Sequence, residues 1–147
     1  MSRIRDEKME TSLKKILVVE DNEDNRDILI FRLKSMGNFE VLCATNGKEA
    51  LEIAEQRRPD LIIMDLKMPV MDGWEATCSL RQTEWGRSLP VIALTAHVTD
   101  GGRELALGAG FSDYLLKPIT DYSLVQRKVQ SLLEQTADPL SVPPHGN

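Results

Sequence analysis

Short apolar segments alternate with longer amphipathic segments through the middle of the chain. Residues 15–19, 61–64 and 91–94 are almost wholly apolar, a pattern typical of strands that are buried on both faces of a parallel sheet. Residues 40–44 and 111–116 are more mixed, as expected for strands nearer the edge of a sheet. The pattern therefore predicts five strands.

The segments between these strands carry apolar residues at helical spacing. Asn46 and Glu49 have the spacing of a capping box and predict a helix start. Five helices are predicted, at residues 22–36, from 46 to just before 59, from 72 to about 83, at roughly 100–107 and at about 121–135. Strands that alternate with helices in this way favour an α/β fold, a doubly wound five-stranded parallel sheet with helices on both faces.

Length and composition restrict the class of protein. The 147 residues suffice for one domain with its own core, expected at residues 14–135, between a flexible N-terminal extension (1–13) and a disordered tail (136–147). A net charge of −5 predicts no nucleic-acid surface. The chain contains no apolar run that is long enough for membrane insertion. Cys43 and Cys78 indicate reduced thiols, so the expected location is cytoplasmic.

Charged and hydroxyl side chains stand where four of the predicted strands end. Glu20 and Asp21 follow the first strand, Asp65 follows the third, Thr95 the fourth and Lys117 the fifth. In open parallel sheets the carboxyl ends of the strands lie along one edge, where ligands bind. Each residue alone has an ordinary structural explanation, such as a helix cap or a polar strand end. Together they predict one site with three carboxylates, a hydroxyl and an ammonium group.

Three carboxylates at one site repel one another unless some are protonated or a cation binds. Mg²⁺ is the expected cofactor, because it takes one or two carboxylates and keeps several waters. A carboxylate beside Mg²⁺ and a lysine can act as a nucleophile toward phosphorus. Asp65 is the best candidate nucleophile because it ends the most apolar strand, and Glu20 and Asp21 would then serve the metal.

Four segments of the chain carry motifs of a known family. They are ILVVEDN (residues 16–22), PDLIIMDLKMPVMDGWE (59–75), PVIALTA (90–96) and DYLLKPI (113–119). In the order and spacing of these motifs, the chain resembles the receiver domains of bacterial two-component response regulators. The resemblance implies a flavodoxin-like sheet with the strand order 2-1-3-4-5. Gly73, in the second motif, is expected to allow an unusual backbone path in the loop after that strand.

The resemblance also implies a role for each matching position of the site. Asp65 corresponds to the phosphoacceptor, Asp21 to a direct Mg²⁺ ligand, and Glu20 to a second acidic group that acts through water. Lys67 is implied to offer its backbone carbonyl to the metal, and Lys117 to pair with the phosphoryl group. The acidic pair is Glu-Asp here instead of the commoner Asp-Asp, a variant that still suits Mg²⁺.

A conformational switch is part of the same resemblance. Thr95 corresponds to the hydroxyl that moves to bind a phosphoryl oxygen, and Ala96 to a nearby backbone N–H donor. Tyr114 stands at the position of the aromatic residue that turns inward when the threonine moves. The peptide bond between Lys117 and Pro118 is expected to be cis.

The function implied is that of a single-domain response regulator, a phosphoacceptor and not an enzyme for other substrates. Its partners would be a histidine kinase or a phosphotransfer protein as donor and an unknown downstream protein as target. The segment after Gln135 is too short for an output domain, so the signal is expected to leave through protein contacts.

Three other functions are compatible with the fold. A flavodoxin-like cofactor binder needs a first loop that cradles phosphate, whereas residues 20–24 (EDNED) would repel it. A phosphohydrolase with an aspartyl-phosphate intermediate usually needs a general acid, and Lys67 stands where a second Asp is expected. The third alternative is a phosphorylation-independent receiver-like binding module, against which the acidic residues, Thr95 and Lys117 argue.

Overall fold

The computed structural model describes residues 13–96 and 108–137, with side chains up to residue 135. The helix predicted at roughly residues 100–107 lies outside the described residues. So do nearly all of the predicted N-terminal extension and most of the predicted tail. The five predicted strands, and the four other predicted helices, lie within them.

The described strands are β1 (Lys14–Val19), β2 (Phe39–Ala44), β3 (Leu61–Asp65), β4 (Val91–Thr95) and β5 (Asp113–Leu116). They form one parallel sheet in the order β2-β1-β3-β4-β5. All five residues of β3 are buried, as the run of apolar residues predicts. The doubly wound sheet and its strand order are thus confirmed, although the fifth strand starts at Asp113 and not at Phe111.

In the described part of the chain, two helices pack on each face of this sheet. They are α1 (Glu23–Met36), α2 (Gly47–Arg57), α3 (Gly73–Arg81) and α4 (Tyr122–Ala137). On one face, Leu33 of α1 and Val129 of α4 pack with strand side chains such as Ile63 of β3. On the other face, Ala54 of α2 and Leu80 of α3 pack with the strand side chains that point to that face. The buried face of each helix therefore holds it against the sheet.

Three of the helices begin with the same local device. The side chains of Asn22, Asn46 and Asp72 each accept a hydrogen bond from the backbone N–H three residues later, at 2.8–2.9 Å. Each of these caps lies in the loop that follows β1, β2 or β3, so the loop at the carboxyl end of the strand turns directly into a helix. This arrangement fixes the loops that carry the candidate site.

The loop between β3 and α3 turns back on the end of its own strand. The N–H of Gly73 donates to the carbonyl of Leu66 (3.1 Å), and a Cβ added to Gly73 would lie 2.3 Å from the backbone oxygen of Asp65. Glycine is therefore required here by the close approach of two backbone segments. The unusual backbone conformation falls on Val70 instead, which has φ +71° in a tight turn where the Met71 N–H donates to Pro69 (2.7 Å).

Replacing Val70 by Gly is expected to stabilise the fold by about 1 kcal/mol. A β-branched residue at positive φ is strained by about 1–3 kcal/mol, and the added chain entropy of glycine offsets only part of that gain. Because the Val70 side chain is 77% exposed, little buried surface is lost. Urea unfolding of Val70→Gly beside Val70→Ala, which keeps the strained φ, measures the difference; a Gly variant less stable than the Ala variant would contradict it.

Neither a cross-link nor a membrane span is found in the part of the chain that the structure describes. Cys43 and Cys78 are both free thiols, and both are exposed. Among the described helices, none combines the length and the apolar character needed to cross a membrane.

Candidate functional site

The carboxyl ends of β1 and β3 bring three carboxylates together. Glu20 and Asp21 follow β1, and Asp65 is the last residue of β3. One carboxylate oxygen from each of the three lies within 4.8 Å of the others. Glu20 is 2% and Asp65 4% exposed, whereas Asp21 is exposed. The predicted acidic cluster is therefore present, with one face open to solvent.

Lys117 places its ammonium group between the two buried carboxylates. Its Nζ donates to Oδ2 of Asp65 at 2.8 Å and lies 3.3 Å from Oε1 of Glu20. The backbone N–H of Lys117 donates to the carbonyl of Thr95 (2.8 Å), which ties the end of β5 to the end of β4. The following bond to Pro118 is cis, as the resemblance implies.

Burial and charge act in opposite directions on these groups. Burial raises the pKa of the Glu20 carboxyl and the charge of Asp65 raises it further, against the lowering effect of the Asn22 N–H, which donates to Glu20 (3.1 Å). Burial lowers the pKa of the Lys117 ammonium, but the hydrogen bond and the charge of Asp65 outweigh burial and raise the pKa overall. One ammonium group thus faces three carboxylates, and the remaining negative charge with its oxygen donors fits a hard divalent cation.

The site lies in an open cavity of about 410 Å³. The cavity gathers every predicted site residue except Tyr114: Glu20, Asp21, Asp65, Lys67, Thr95, Ala96 and Lys117. Lys67 is fixed through its backbone N–H, which donates to Oδ1 of Asp65 (3.2 Å). Residues that end or follow four different strands therefore meet at the predicted edge of the sheet.

Trp74, which is not among the predicted site residues, also lines this cavity. Its indole is 37% exposed and packs edge-on against Phe111, with ring centroids 5.5 Å apart. The signal available in the sequence is its position, directly after Asp72 and Gly73 at the start of α3. A residue on the first turn of a helix that begins at the carboxyl edge of the sheet is close to the site.

Tyr114 lies on β5 and does not contribute to the lining of the acidic cavity. It packs against the core on the α2 and α3 face, and Nζ of Lys128 lies 5.0 Å from the centroid of its ring. The same Nζ donates to the backbone oxygen of Tyr114 (3.0 Å) and to the Asp113 carboxylate (2.7 Å). The predicted inward movement of this ring is not tested by this conformation and stays a prediction.

Comparison with solved structures supports the same fold and site. The receiver domain of the sensor histidine kinase PA1611 from Pseudomonas aeruginosa PAO1 superposes with a TM-score of 0.76 and 41% sequence identity. The match covers 84% of this chain and 99% of that chain. In that structure a magnesium ion is coordinated in the active site cleft.

Curated relatives include proteins of similar length. The chain is 44% identical over 111 residues to an uncharacterized 14.6 kDa protein from the sodA1 3′ region of Leptolyngbya boryana, covering 76% of this chain and 84% of that protein. It is 38% identical over 107 residues to the polar-differentiation response regulator DivK of Brucella anthropi, covering 73% and 86%. Other relatives are histidine kinases, of which the chain spans only 3–12%.

The family comparison covers most of the folded part of the chain. The response regulator receiver domain matches residues 16–128. This range contains four of the strands whole and all but the first two residues of β1, together with each of the residues that line the acidic cavity. The chain belongs to the response regulator receiver domain family.

Proposed function

We propose that the protein is a single-domain response regulator that takes a phosphoryl group onto Asp65 with the help of Mg²⁺. The observation that carries the proposal is the arrangement of Asp65 between an ammonium group and two further carboxylates. Lys117 Nζ lies 2.8 Å from Asp65, and Glu20 and Asp21 offer oxygens within 4.8 Å. A carboxylate held in this way has the Lys117 ammonium group beside it and a place for Mg²⁺, and both cations can neutralise charge on a transferred phosphoryl group.

The metal would be held by the exposed side of the cluster. Asp21 and Asp65 would be direct ligands, the backbone carbonyl of Lys67 a third, and Glu20 would act through water. Mg²⁺ bound there supplies positive charge that neutralises the phosphoryl oxygens during transfer. The magnesium ion in the related PA1611 receiver domain supports this choice of cation.

The chemistry of the transfer falls to Asp65 and Lys117. A carboxylate oxygen of Asp65 forms the new bond to phosphorus, while the bond from phosphorus to the donor's nitrogen or oxygen breaks and its electron pair leaves with the donor. The ammonium group of Lys117 is hydrogen-bonded to Asp65 in the unmodified protein (2.8 Å), and after transfer it would bind a phosphoryl oxygen. Asp65 is 4% exposed, so few water molecules have to leave its carboxylate before it attacks phosphorus.

The response to phosphorylation would start at the end of β4. Thr95 would bond a phosphoryl oxygen through its hydroxyl, and Ala96 through its backbone N–H; both residues line the cavity. Tyr114, on the neighbouring strand β5, would then turn into the space that Thr95 leaves. A modification shifts such an equilibrium only through contacts that differ between the two states, and the Thr95 hydroxyl is the proposed source of that difference.

The donor would be a histidine kinase or a phosphotransfer protein, and the target a further protein. Receiver domains receive phosphoryl groups from histidine kinases, and histidine kinases that contain a segment similar to this chain are among its relatives. The high coverage of DivK, 86% of its length, supports a regulator that consists of little more than the receiver domain.

Intact-mass measurement with acetyl phosphate tests this function. We expect a gain of one phosphoryl group that requires Mg²⁺ and is absent when a chelator is present. The same measurement after exchange into chelator shows whether the product, once formed, is covalent. No gain, together with no binding of beryllofluoride, would overturn the proposal and favour a binding module that works without phosphorylation.

Mg²⁺ is also expected to change the intrinsic fluorescence of the protein through Trp74, because this indole lines the acidic cavity. Trp85, the second tryptophan, precedes β4 at the other edge of the sheet, with Arg58 Cζ 4.5 Å from its ring centroid. A Mg²⁺ titration should therefore give a saturable change in the wild type and in Trp85→Phe. The change should vanish in Trp74→Phe, and its survival there would show that the ion binds elsewhere.

A further inference from the structure

The start of α2 is in direct contact with the loop that follows the candidate phosphoacceptor. Gly47, the first residue of α2, is buried, and its N–H donates to the carbonyl of Met71 at 2.8 Å. The first N–H groups of a helix have no partner within the helix. Here one of them is satisfied by a loop from a different part of the chain, so it joins the two segments.

Only glycine allows this contact at the observed distance. A Cβ added at Gly47 would lie 2.6 Å from the backbone oxygen of Met71, and 3.0 Å from both the Asp72 oxygen and the Ala76 Cβ. The nearest of these atoms belong to the backbone, which cannot move away as the end of a side chain can. Any other residue at position 47 would therefore displace α2 from the loop, or the loop from α2.

The loop in question connects Asp65 to α3, and its first residue, Leu66, donates its N–H to the Leu94 carbonyl of β4 (3.0 Å). At its start the Lys67 N–H donates to the Asp65 carboxylate (3.2 Å), and at its end the Gly73 N–H donates to Leu66 (3.1 Å). For residues 67–72, the bond from Gly47 to Met71 is the hydrogen bond that comes from another element of the described fold. The other hydrogen bonds of these residues run to their own strand, turn and helix, and Met68 and Met71 pack against the core.

We propose that Gly47 is a positioning residue for metal binding: its contact with Met71 holds the β3–α3 loop in the conformation that presents the Lys67 carbonyl to Mg²⁺. This inference rests on the proposed function, which assigns that carbonyl to the metal. Gly47 does not line the acidic cavity and acts only through the loop. Groups that orient metal ligands from outside the ligand shell typically change metal affinity by about 10–100-fold when they are altered.

Calorimetric titration with Mg²⁺ of the wild type, Gly47→Ala and Ala54→Gly tests the proposal. Ala54 is fully buried in the same helix, about 10 Å along its axis from Gly47, so its replacement by glycine weakens α2 without touching the loop. We expect Gly47→Ala to bind Mg²⁺ about tenfold more weakly and Ala54→Gly to match the wild type. Equal affinity in folded Gly47→Ala and wild type would overturn the inference alone, whereas a wild type that binds no Mg²⁺ would overturn the proposed function.

Amide hydrogen exchange on the unaltered protein gives a second test, which holds even if Gly47→Ala fails to fold. If the contact favours Mg²⁺ binding, Mg²⁺ must favour the contact by the same factor, because coupling between two equilibria is reciprocal. Saturating Mg²⁺ is therefore expected to slow exchange of the Gly47 amide. An amide in the middle of α2, such as that of Ala54, serves as the reference. Exchange of Gly47 that Mg²⁺ leaves unchanged would overturn the proposal.

Discussion

Replacing Asp65 by Asn is expected to abolish phosphorylation, with no gain in intact mass after incubation with acetyl phosphate and Mg²⁺. The amide keeps the size of the side chain but removes the anionic oxygen that attacks phosphorus. Asp60→Asn is the matched control, since Asp60 directly precedes β3 at the end of the strand away from the site. Its carboxylate accepts a hydrogen bond from the Lys15 N–H (2.8 Å). A phosphoryl gain in Asp65→Asn equal to that in Asp60→Asn would show that another residue is the acceptor.

The same variant separates the catalytic role of Asp65 from a structural one. Breaking a buried ion pair usually costs about 3–5 kcal/mol, because one charge is left without a partner. Here Lys117 also lies 3.3 Å from Glu20, so the ammonium group keeps a carboxylate when Asp65 is replaced. The repulsion between Asp65 and Glu20, which helps to raise the pKa of Glu20, disappears at the same time.

We therefore expect Asp65→Asn, in the absence of Mg²⁺, to be at least as stable as the wild type in urea unfolding. In the presence of Mg²⁺ the wild type should gain stability, because the ion binds the folded state, and the variant should gain less. A loss of several kcal/mol in the absence of metal would contradict this expectation. It would show that Asp65 serves mainly to pair Lys117 within the fold.

Most of the fold is readable from the sequence because the three inner strands, β1, β3 and β4, are largely buried. The apolar runs locate the strands to within one or two residues, most clearly that of β3. The helix starts are located equally well, and they coincide with the caps Asn22, Asn46 and Asp72. The rule that ligands bind at the carboxyl ends of parallel strands then brings Glu20, Asp65 and Lys117 together without any structure. The strand order and the roles of individual residues depended on the resemblance.

The sequence does not reveal contacts between segments that are distant along the chain. Phe111 reads as the first residue of a strand, but it is buried against Trp74, and pairing begins at Asp113. Gly47 has no local pattern that distinguishes it from any helix start. Its role depends on how closely α2 approaches Met71. Gly73 is predicted to allow an unusual backbone path, and it does so by leaving space for the close approach to Asp65, while the positive φ of the loop falls on Val70.

Gly73→Ala is expected to have the second large effect, a loss of about 3 kcal/mol or more in the free energy of unfolding. The new Cβ would lie 2.3 Å from the Asp65 backbone oxygen, and 3.1 Å from the Asp65 carbonyl carbon and the Leu66 Cα. Overpacking that side chains can relieve costs about 1–3 kcal/mol. Here the three nearest atoms all belong to the backbone of a buried central strand or of its loop, so relief requires moving the loop.

Urea unfolding of Gly73→Ala beside Gly108→Ala measures this effect. A Cβ at Gly108 would meet no atom of the described residues within 4 Å, so that variant is expected to stay within about 0.5 kcal/mol of the wild type. Because a shift of the loop would also shift Asp65 at the end of β3, Gly73→Ala should lose most of its phosphorylation even while it is still folded. Equal stability and equal phosphorylation in the two variants would mean that the loop shifts freely. The position of Asp65 would then depend on its hydrogen bond to Lys117 and not on the packing of the backbone around it.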